Sequence, residues 1–288
     1  MIGTNRTISA AELEHARPEE LPEYVRNTWL LLPNSSFLRA WHLIVVVLLL
    51  WSATIIPFRI GFFSDETIRV DAWVVTEIIV DMFFLIDIMV NFCSAYEHEN
   101  QVVVDWQQVA WNYLTSYFAV DLVGSIPLSL IAPSLGSQLR GVRLIRLPRL
   151  FKLVKLLRFV KILRAWRLEK YLRPFQEHLQ FNPGFLRICK FAMWFFLISH
   201  WVACGFSFVA VSEFPDPDTW LSRYELLDAP LDERYVASIY WSLTILSTLG
   251  LGDLVPVTML ERIYVTFITA VGAVLFSFIT ATLAAYID

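Results

Sequence analysis

The chain alternates long apolar runs with polar connections. Five runs are long enough, at roughly 20 residues, to cross the hydrocarbon core of a bilayer as helices: residues 37–57, 70–95, 115–131, 185–211 and 261–286. Pro57 is predicted to end the first run, because proline removes a helical hydrogen bond. A further apolar stretch, residues 235–247, is too short to cross and predicts a re-entrant helix. The pattern therefore predicts a chain built from membrane helices.

The segment between the third and fourth of these runs carries a basic residue at every third position, with mostly apolar residues between. Its cations are Arg140, Arg143, Arg146, Arg149, Lys152, Lys155, Arg158, Lys161, Arg164 and Arg167. A cation at the bilayer centre costs roughly 3 kcal/mol on insertion scales, so a regular series of cations indicates a function. Moving one charge through the membrane potential changes its energy by about 2.3 kcal/mol per 100 mV. The segment predicts a fourth membrane helix that senses voltage.

We call residues 139–167 the cationic ladder. As an α-helix the ladder would be about 40 Å long, so its lower end is expected in cytoplasmic water or among lipid headgroups. The candidates for charge transfer are therefore Arg140, Arg143, Arg146, Arg149, Lys152 and Lys155. Pro148 is expected to kink the helix. The alternative is a basic amphipathic helix lying on anionic lipid, which predicts clustered cations and leaves the acids of the neighbouring spans unexplained.

Acidic residues in the second and third runs supply partners for the ladder. Asp87 lies in the second run and Asp121 in the third, where an acid is costly unless it has a role. Phe84 shares a helical face with Asp87. We predict a countercharge site formed by Asp87 and Asp121, with Phe84 or its neighbour Phe83 as an apolar plug.

Composition and charge placement fit a membrane protein. The 288 residues are 57% hydrophobic and 17% charged, with a mean hydropathy of +0.55, far more apolar than a soluble domain. Basic residues concentrate between 139 and 190, whereas residues 212–234 hold seven acids. The positive-inside rule places the basic connector, residues 168–183, in the cytoplasm and the acidic loop outside. We expect an integral multi-pass protein of the cell membrane with both termini cytoplasmic.

A short glycine-containing segment follows the re-entrant stretch. Its residues are Thr248, Leu249, Gly250, Leu251, Gly252 and Asp253. Alternating glycines let the backbone turn successive carbonyls toward one axis, where they replace the hydration shell of a monovalent cation. We predict a selectivity filter that holds K⁺ at the first four of these residues. One chain supplies one quarter of such a pore, so we expect a homotetramer. The sequence has no catalytic constellation, so neither an enzyme nor a resident cofactor is predicted.

Several longer motifs carry a family resemblance. They are LLLPNSSFLRAW, DMFFLIDIMVNF, YFAVDLVGSIP, the cationic ladder, FNPGFLRICKF with SHWVAC, and YWSLTILSTLGLGD. Together they resemble the voltage-gated-like cation channels of the cyclic-nucleotide-binding-domain group, namely the ether-a-go-go, hyperpolarisation-activated, cyclic-nucleotide-gated and plant inward-rectifier channels and their bacterial relatives. The resemblance covers residues 31–288.

Pattern and resemblance predict an all-α integral membrane protein with six transmembrane helices, a re-entrant pore helix and a filter loop. Residues 1–37 are expected to form a cytoplasmic segment and residues 38–167 a four-helix voltage-sensor domain. The connector 168–183 then leads to a tetrameric pore domain, residues 184–288. The resemblance implies that each sensor packs beside its own pore segment, without domain swapping.

The resemblance also implies roles for residues of the last span. It places three small residues on the pore side as gate candidates: Ser277, Ala281 and Ala285. Phe276 and Thr280 form the alternative stripe. Gly272 is either a hinge or a packing contact between helices.

Two other positions have competing interpretations. The acids Glu77 and Asp81, four residues apart, either form an outer acidic site, which in this family can bind divalent cations, or face the surface. His200 matches a histidine–tryptophan pair of the family, and we expect a buried, hydrogen-bonded structural histidine.

The chain departs from the family in two ways. Leu251 replaces the aromatic residue of the usual filter, which predicts potassium selectivity with a softer filter. The sequence stops at Asp288, where the family normally continues into a nucleotide-binding domain, so either the natural protein lacks the domain or this chain is partial.

The leading hypothesis is a voltage-gated potassium channel. The alternatives are a weakly selective cation channel modulated by cyclic nucleotide through a domain absent here, and a voltage-sensor protein that controls a non-pore effector. The ladder is compatible with either polarity of gating.

Overall fold

The computed structural model describes residues 7–15, 20–33, 35–63, 72–99, 101–125, 171, 183–212 and 218–284. Helices dominate these residues: α1 (Ala10–His15), α2 (Glu23–Arg26), α3 (Ser36–Phe62), α4 (Ala72–Phe92), α5 (Trp106–Ser116), α6 (Phe118–Ser125), α7 (Pro183–Ser212), α8 (Trp220–Arg223), α9 (Leu231–Leu246) and α10 (Met259–Ala284). Three short strands complete them: β1 (Thr7–Ser9), β2 (Tyr96–His98) and β3 (Gln101–Val103).

The described residues form two compact units. The first contains the N-terminal residues up to 51, helices α4 to α6 and Tyr171, and is named the sensor unit after its predicted role. The second contains α3 from residue 52 onward and helices α7 to α10, and is named the pore unit after its predicted role. The helix α3 therefore contributes residues to both units.

A small sheet in the sensor unit modifies the all-α prediction. The strands β1 and β2 both pair with β3 in antiparallel register, so the N-terminal segment joins the connection between α4 and α5. The hydrophobic cluster beside the sheet includes Ile8, Val25, Leu30 and Val102. Three-residue strands are too short for their alternation to be detected in the sequence. The segment before the first span is thus a folded part of this unit.

The third predicted span has different bounds in the structure. The chain forms α5 and α6 on either side of Tyr117, instead of one helix beginning at residue 115. The Asp105 side chain caps α5 by accepting a hydrogen bond from the Gln107 amide at 3.2 Å. Hydropathy misses this start because Gln107 and Gln108 interrupt the apolar residues of the first turn, whereas the capping aspartate marks it.

Among the described residues, three helical segments are long and apolar enough to cross a membrane: Ser36–Phe62, Gly184–Ser212 and Met259–Phe278. The helix α4 has 21 residues but carries Glu77, Asp81 and Asp87. Its length suits a span, and its acids are buried in the protein.

The expected stop at Pro57 is wrong, because α3 continues through this proline to Phe62. Proline cannot donate to the carbonyl of Ala53, four residues before it. The indole N–H of Trp201 in α7 donates to that carbonyl instead, at 2.7 Å. His200 bonds the next carbonyl, of Thr54, at 2.8 Å. A neighbouring helix thus satisfies the freed backbone groups, which makes proline tolerable at membrane depth.

The same two helices approach closely further along. The hydroxyl of Ser207 donates to the carbonyl of Gly61 at 2.9 Å. A Cβ at residue 61 would lie 2.5 Å from the carbonyl oxygen of Cys204, so only glycine permits this approach. The end of α3 is therefore fixed to α7 within one chain.

An aromatic stack forms the centre of the pore unit. The ring of Phe206 in α7 is stacked between Trp220 of α8, at 4.5 Å, and Trp241 of α9, at 3.8 Å. All three residues are buried. Aromatic pairs contribute about 1 kcal/mol beyond their area burial. The stack joins α7, α8 and α9.

The bond from Trp201 gives a testable prediction. Trp201→Phe leaves the Ala53 carbonyl without its donor and is expected to destabilise the protein by about 1 kcal/mol. In a Pro57→Ala background, the new amide at residue 57 supplies that donor, so the same substitution is expected to cost little. Thermal unfolding in detergent measures both costs, with Trp194→Phe on the same helix as control. Equal costs of Trp201→Phe in the two backgrounds would contradict this account.

Candidate functional site

The end of α9, the predicted pore helix, leads into the start of the predicted filter. The carbonyl of Thr244 accepts hydrogen bonds from the amides of Leu249 and Gly250, at 3.0 and 3.1 Å. The Thr244 hydroxyl donates to the carbonyl of Trp241 at 2.8 Å. The chain is thereby turned sharply out of the helix at the position where the sequence predicts the filter.

The backbone of the predicted filter alternates in the sign of φ. Thr248, Gly250 and Gly252 have φ angles of +59°, +55° and +76°, whereas φ at Leu249 and Leu251 is not positive. Alternation of this kind turns successive carbonyl groups toward one side, which is the arrangement a carbonyl-lined ion pathway needs. Glycine adopts positive φ freely, whereas threonine, a β-branched residue, does so only under strain. Strain at this position is typical of a functional segment.

The outer end of the filter is braced from the pore helix. The hydroxyl of Tyr240 donates to the carboxylate of Asp253 at 2.6 Å. This bond lowers the pKa of Asp253, since the phenol stabilises the ionised carboxylate. The Asp253 carboxylate also accepts from the amide of Leu254 at 3.0 Å. The side chain of Asp253 is therefore held by two donors at the end of the predicted filter.

The side chains of Leu249 and Leu251 are 69% and 61% exposed on a single chain. The ring that would pack behind the filter at residue 251 in the usual motif is absent from the sequence, as predicted. The two ends of the predicted filter are still held by hydrogen bonds, to the Thr244 carbonyl at one end and from the Tyr240 hydroxyl at the other.

Sequence reasoning missed Glu261, which is fully buried at the start of α10. Its carboxylate accepts from the amides of Val257 and Thr258, at 2.7 and 3.1 Å, and its own amide donates to the Thr258 hydroxyl at 3.2 Å. These bonds form a capping box, which the spacing of Thr258 and Glu261 could have indicated. The second carboxylate oxygen accepts from the Trp220 amide at 3.1 Å. Glu261 thus ties the segment after the filter to the outer loop.

In the sensor unit, Asp87 is fully buried and well supplied with donors. One carboxylate oxygen accepts from the indole of Trp41 in α3, at 2.9 Å. The other accepts from the hydroxyl of Tyr171, also at 2.9 Å. Donors of this kind stabilise a buried carboxylate. Tyr171 lies within the predicted connector, and its contact with Asp87 was not predicted.

Asp121 is also fully buried, in α6. One of its carboxylate oxygens accepts from the hydroxyl of Tyr113 at 2.5 Å. The ring of Tyr113 packs edge-on against Phe92 of α4, at 4.8 Å. Asp87 and Asp121, the two predicted countercharges, therefore each accept a hydrogen bond from a tyrosine hydroxyl.

The two plug candidates differ in burial. Phe84 is fully buried, whereas Phe83 is 36% exposed and lies against Trp41, at a ring distance of 6.2 Å. Of the pair, Phe84 has the position that an apolar plug requires.

Glu77 and Asp81 are both buried in the sensor unit, which excludes the interpretation that they face the surface. In the part of the chain that the structure describes, no group of three or more His, Cys, Asp or Glu side chains is arranged to hold a metal ion. The ladder candidates Arg140, Arg143, Arg146, Arg149, Lys152 and Lys155 lie outside the described residues.

Comparison with known proteins identifies the family. The sequence profile described as ion transport protein matches residues 38–288, most of the chain. The chain belongs to the ion transport protein family. It is therefore a channel and not an enzyme, and the resemblance inferred from its motifs is confirmed.

Several relatives of this channel are named as potassium channels. It is 27% identical to the voltage-gated inwardly rectifying potassium channel KCNH2 of Sus scrofa, over 93% of this chain and 24% of that protein. It is 26% identical to the voltage-gated delayed rectifier potassium channel KCNH5 of Homo sapiens, over 93% of this chain and 28% of that protein. It is 33% identical to potassium channel AKT1 of Arabidopsis thaliana, over 78% of this chain and 25% of that protein. The chain spans about a quarter of the length of these relatives.

The channel's last helix contains the gate candidates. A Cβ at Gly272 would lie 3.2 Å from the carbonyl oxygen of Ile245 and 3.3 Å from the Cα of Leu246. This close approach to the end of the pore helix supports the packing role of Gly272. Ser277 and Ala281 are exposed on the single chain, as are Phe276 and Thr280 of the alternative stripe, so exposure does not separate the two stripes. Ala285 lies outside the described residues.

His200 has the environment expected of a structural histidine. Its Nε2 lies 2.8 Å from the Thr54 carbonyl and must donate to it, so Nδ1 accepts from the hydroxyl of Tyr235 at 2.9 Å. The ring thereby joins α3, α7 and α9 within the pore unit.

The bond between Tyr240 and Asp253 predicts a response to external pH. Because the bond lowers the pKa of Asp253, its stabilising effect is present above the ordinary carboxyl pKa and is lost as pH falls through the lowered value. In Tyr240→Phe the carboxyl is expected to protonate at higher pH, so acid should reduce the current at a higher pH than in the wild type.

Current recorded against external pH tests this expectation. Glu233→Gln, which changes an exposed acid at the start of α9, serves as control. Identical acid responses of Tyr240→Phe and wild type would contradict the role of the hydroxyl.

Proposed function

We propose that four copies of this chain form a voltage-gated potassium channel of the cell membrane, with both termini cytoplasmic. The observation that carries the proposal is the alternating backbone of residues 248–252, anchored by the pore helix and ending at a braced carboxylate. K⁺ would pass passively, held by the carbonyls of Thr248, Leu249, Gly250 and Leu251, and no resident cofactor is needed.

Exposed apolar residues support assembly around a shared axis. On α10 they recur along the helix and include Met259, Ile263, Phe267, Val274 and Phe278, each more than half exposed on the single chain. Subunits or lipid must cover such a surface. A single filter loop encloses no pathway, so a closed ring of four identical chains is the symmetric solution.

The cationic ladder and the buried acids support voltage sensing. Asp87 and Asp121 hold negative charge in the sensor unit, where passing cations gain partners. Three or four charges moving in each of four subunits would supply tens of kcal/mol for gating.

Hydrogen bonds within one chain support the unswapped arrangement. The end of α3, from the first span, receives bonds from Trp201, His200 and Ser207 of the chain's own outer helix. Such contacts are expected where a sensor packs beside its own pore segment.

Leu251 favours a second candidate, a weakly selective cation channel. Without the usual aromatic ring, the middle of the filter has less packing behind it and would adapt more readily to Na⁺. Modulation by cyclic nucleotide would then need a domain outside this chain.

Reversal potentials distinguish the two candidates. For purified protein in planar bilayers under opposed potassium and sodium gradients, a potassium channel is expected to reverse close to the potassium equilibrium potential. A reversal potential near zero would establish weak selectivity instead. Absence of any ionic current from the tetramer would favour a sensor for a non-pore effector.

Neutralising ladder residues tests the sensor. Arg143→Gln and Arg146→Gln are each expected to make activation less steep with voltage, because fewer charges cross the field. Arg39→Gln, at an exposed position of α3, is the matched control and should leave the steepness unchanged. Wild-type steepness in both ladder variants would argue against voltage sensing by this helix.

A further inference from the structure

Tyr171 is a buried residue of the predicted connector whose hydroxyl contacts a predicted countercharge. It is fully buried in the sensor unit, with its ring edge-on to His42 at 4.9 Å. Its hydroxyl donates to Oδ2 of Asp87 at 2.9 Å and lies 3.2 Å from Nδ2 of Asn91. The side chain of Asn91 donates to that hydroxyl oxygen and to the Asp87 carbonyl, at 2.8 Å. The phenol is therefore aimed at the predicted countercharge by a dedicated partner.

The position of Tyr171 in the sequence gives this contact its meaning. Arg167, the last cation of the ladder, lies four residues before Tyr171 in the sequence. Tyr171 thus follows the ladder and presents a neutral donor to a carboxylate that serves the cations. A phenol carries no charge, so the membrane field does not act on it directly. Its hydrogen bond therefore lowers the free energy of one sensor position by an amount that does not depend on voltage.

We infer that Tyr171 is a latch that holds the voltage sensor in its outward position by hydrogen bonding to Asp87. This inference rests on the proposed function and its topology. Since the ladder runs from outside to inside and precedes Tyr171, Tyr171 reaches Asp87 only when the ladder lies on the extracellular side of Asp87. Moving the sensor inward breaks the bond, because it carries Tyr171 away from Asp87.

A role in packing alone would reside in the ring and not in the hydroxyl. The contact with His42 involves the ring, which phenylalanine preserves. Tyr171→Phe therefore removes the latch and keeps the packing.

The test is the voltage dependence of charge movement in tetramers reconstituted into bilayers. A hydrogen bond to a charged group contributes roughly 1.5–3 kcal/mol, so Tyr171→Phe is expected to lower the equilibrium constant for the outward position about tenfold or more. The charge–voltage curve should move to more depolarised potentials with unchanged total charge. Tyr96→Phe, a half-buried tyrosine of β2 in the same unit, is the matched control and should leave the curve in place.

A second variant tests the same bond without changing the tyrosine. Asn91→Ala removes the amide that positions the hydroxyl and is expected to shift the curve in the same direction by less. In the double variant the shifts should not add, because both act through one hydroxyl. If the Tyr171→Phe variant does not assemble, the Asn91→Ala variant alone tests the latch. An unchanged charge–voltage curve for Asn91→Ala then overturns it.

The outcomes separate the latch from the proposed function. A wild-type protein without voltage-dependent charge movement overturns both. A wild-type protein that moves charge, together with an unshifted curve for Tyr171→Phe, overturns only the latch. A shift to hyperpolarised potentials, or additive shifts in the double variant, would also overturn it.

Discussion

The lack of water in the bilayer core is the constraint on which this structure depends, because the protein itself must supply partners to the polar groups it places there. The carbonyl of Ala53, which Pro57 cannot bind, accepts a hydrogen bond from the indole of Trp201. The amides of Leu249 and Gly250, just after α9, donate to the carbonyl of Thr244. Glu261 receives backbone amides on both oxygens. Irregular backbone is thus confined to places where a neighbouring segment satisfies it.

The same constraint shapes the sensor unit. A sensor needs ionised carboxylates in a place where ionisation is costly, and donors lower that cost. Asp87 and Asp121 each receive a tyrosine hydroxyl, from Tyr171 and Tyr113. A phenol that donates to a carboxylate adds no charge of its own. Tyr113 lies eight residues before Asp121 in the sequence, whereas Tyr171 comes from the segment that follows the ladder and is the one proposed to move with the sensor.

Local patterns made much of this predictable. The apolar runs indicated the long helices α3, α4, α7 and α10, and the short run before Thr248 indicated α9. The glycine spacing indicated the positive φ angles of Gly250 and Gly252. The features that sequence reasoning missed depend on distant partners. Pro57 read alone ends a helix, and only Trp201, far along the chain, explains why it does not. The three-stranded sheet and the bond from Tyr171 to Asp87 likewise join segments that no periodicity relates.

The segment predicted as the filter is held at both ends without help from residue 251. In a carbonyl-lined pathway the ion contacts come from backbone oxygens, so side chains act by holding the backbone in shape. The Thr244 carbonyl binds the amides of Leu249 and Gly250, and the Tyr240 hydroxyl binds the carboxylate of Asp253. Neither bond involves the Leu251 side chain, so the replacement of an aromatic residue there leaves both in place. The alternating φ angles persist because glycine adopts two of them without strain.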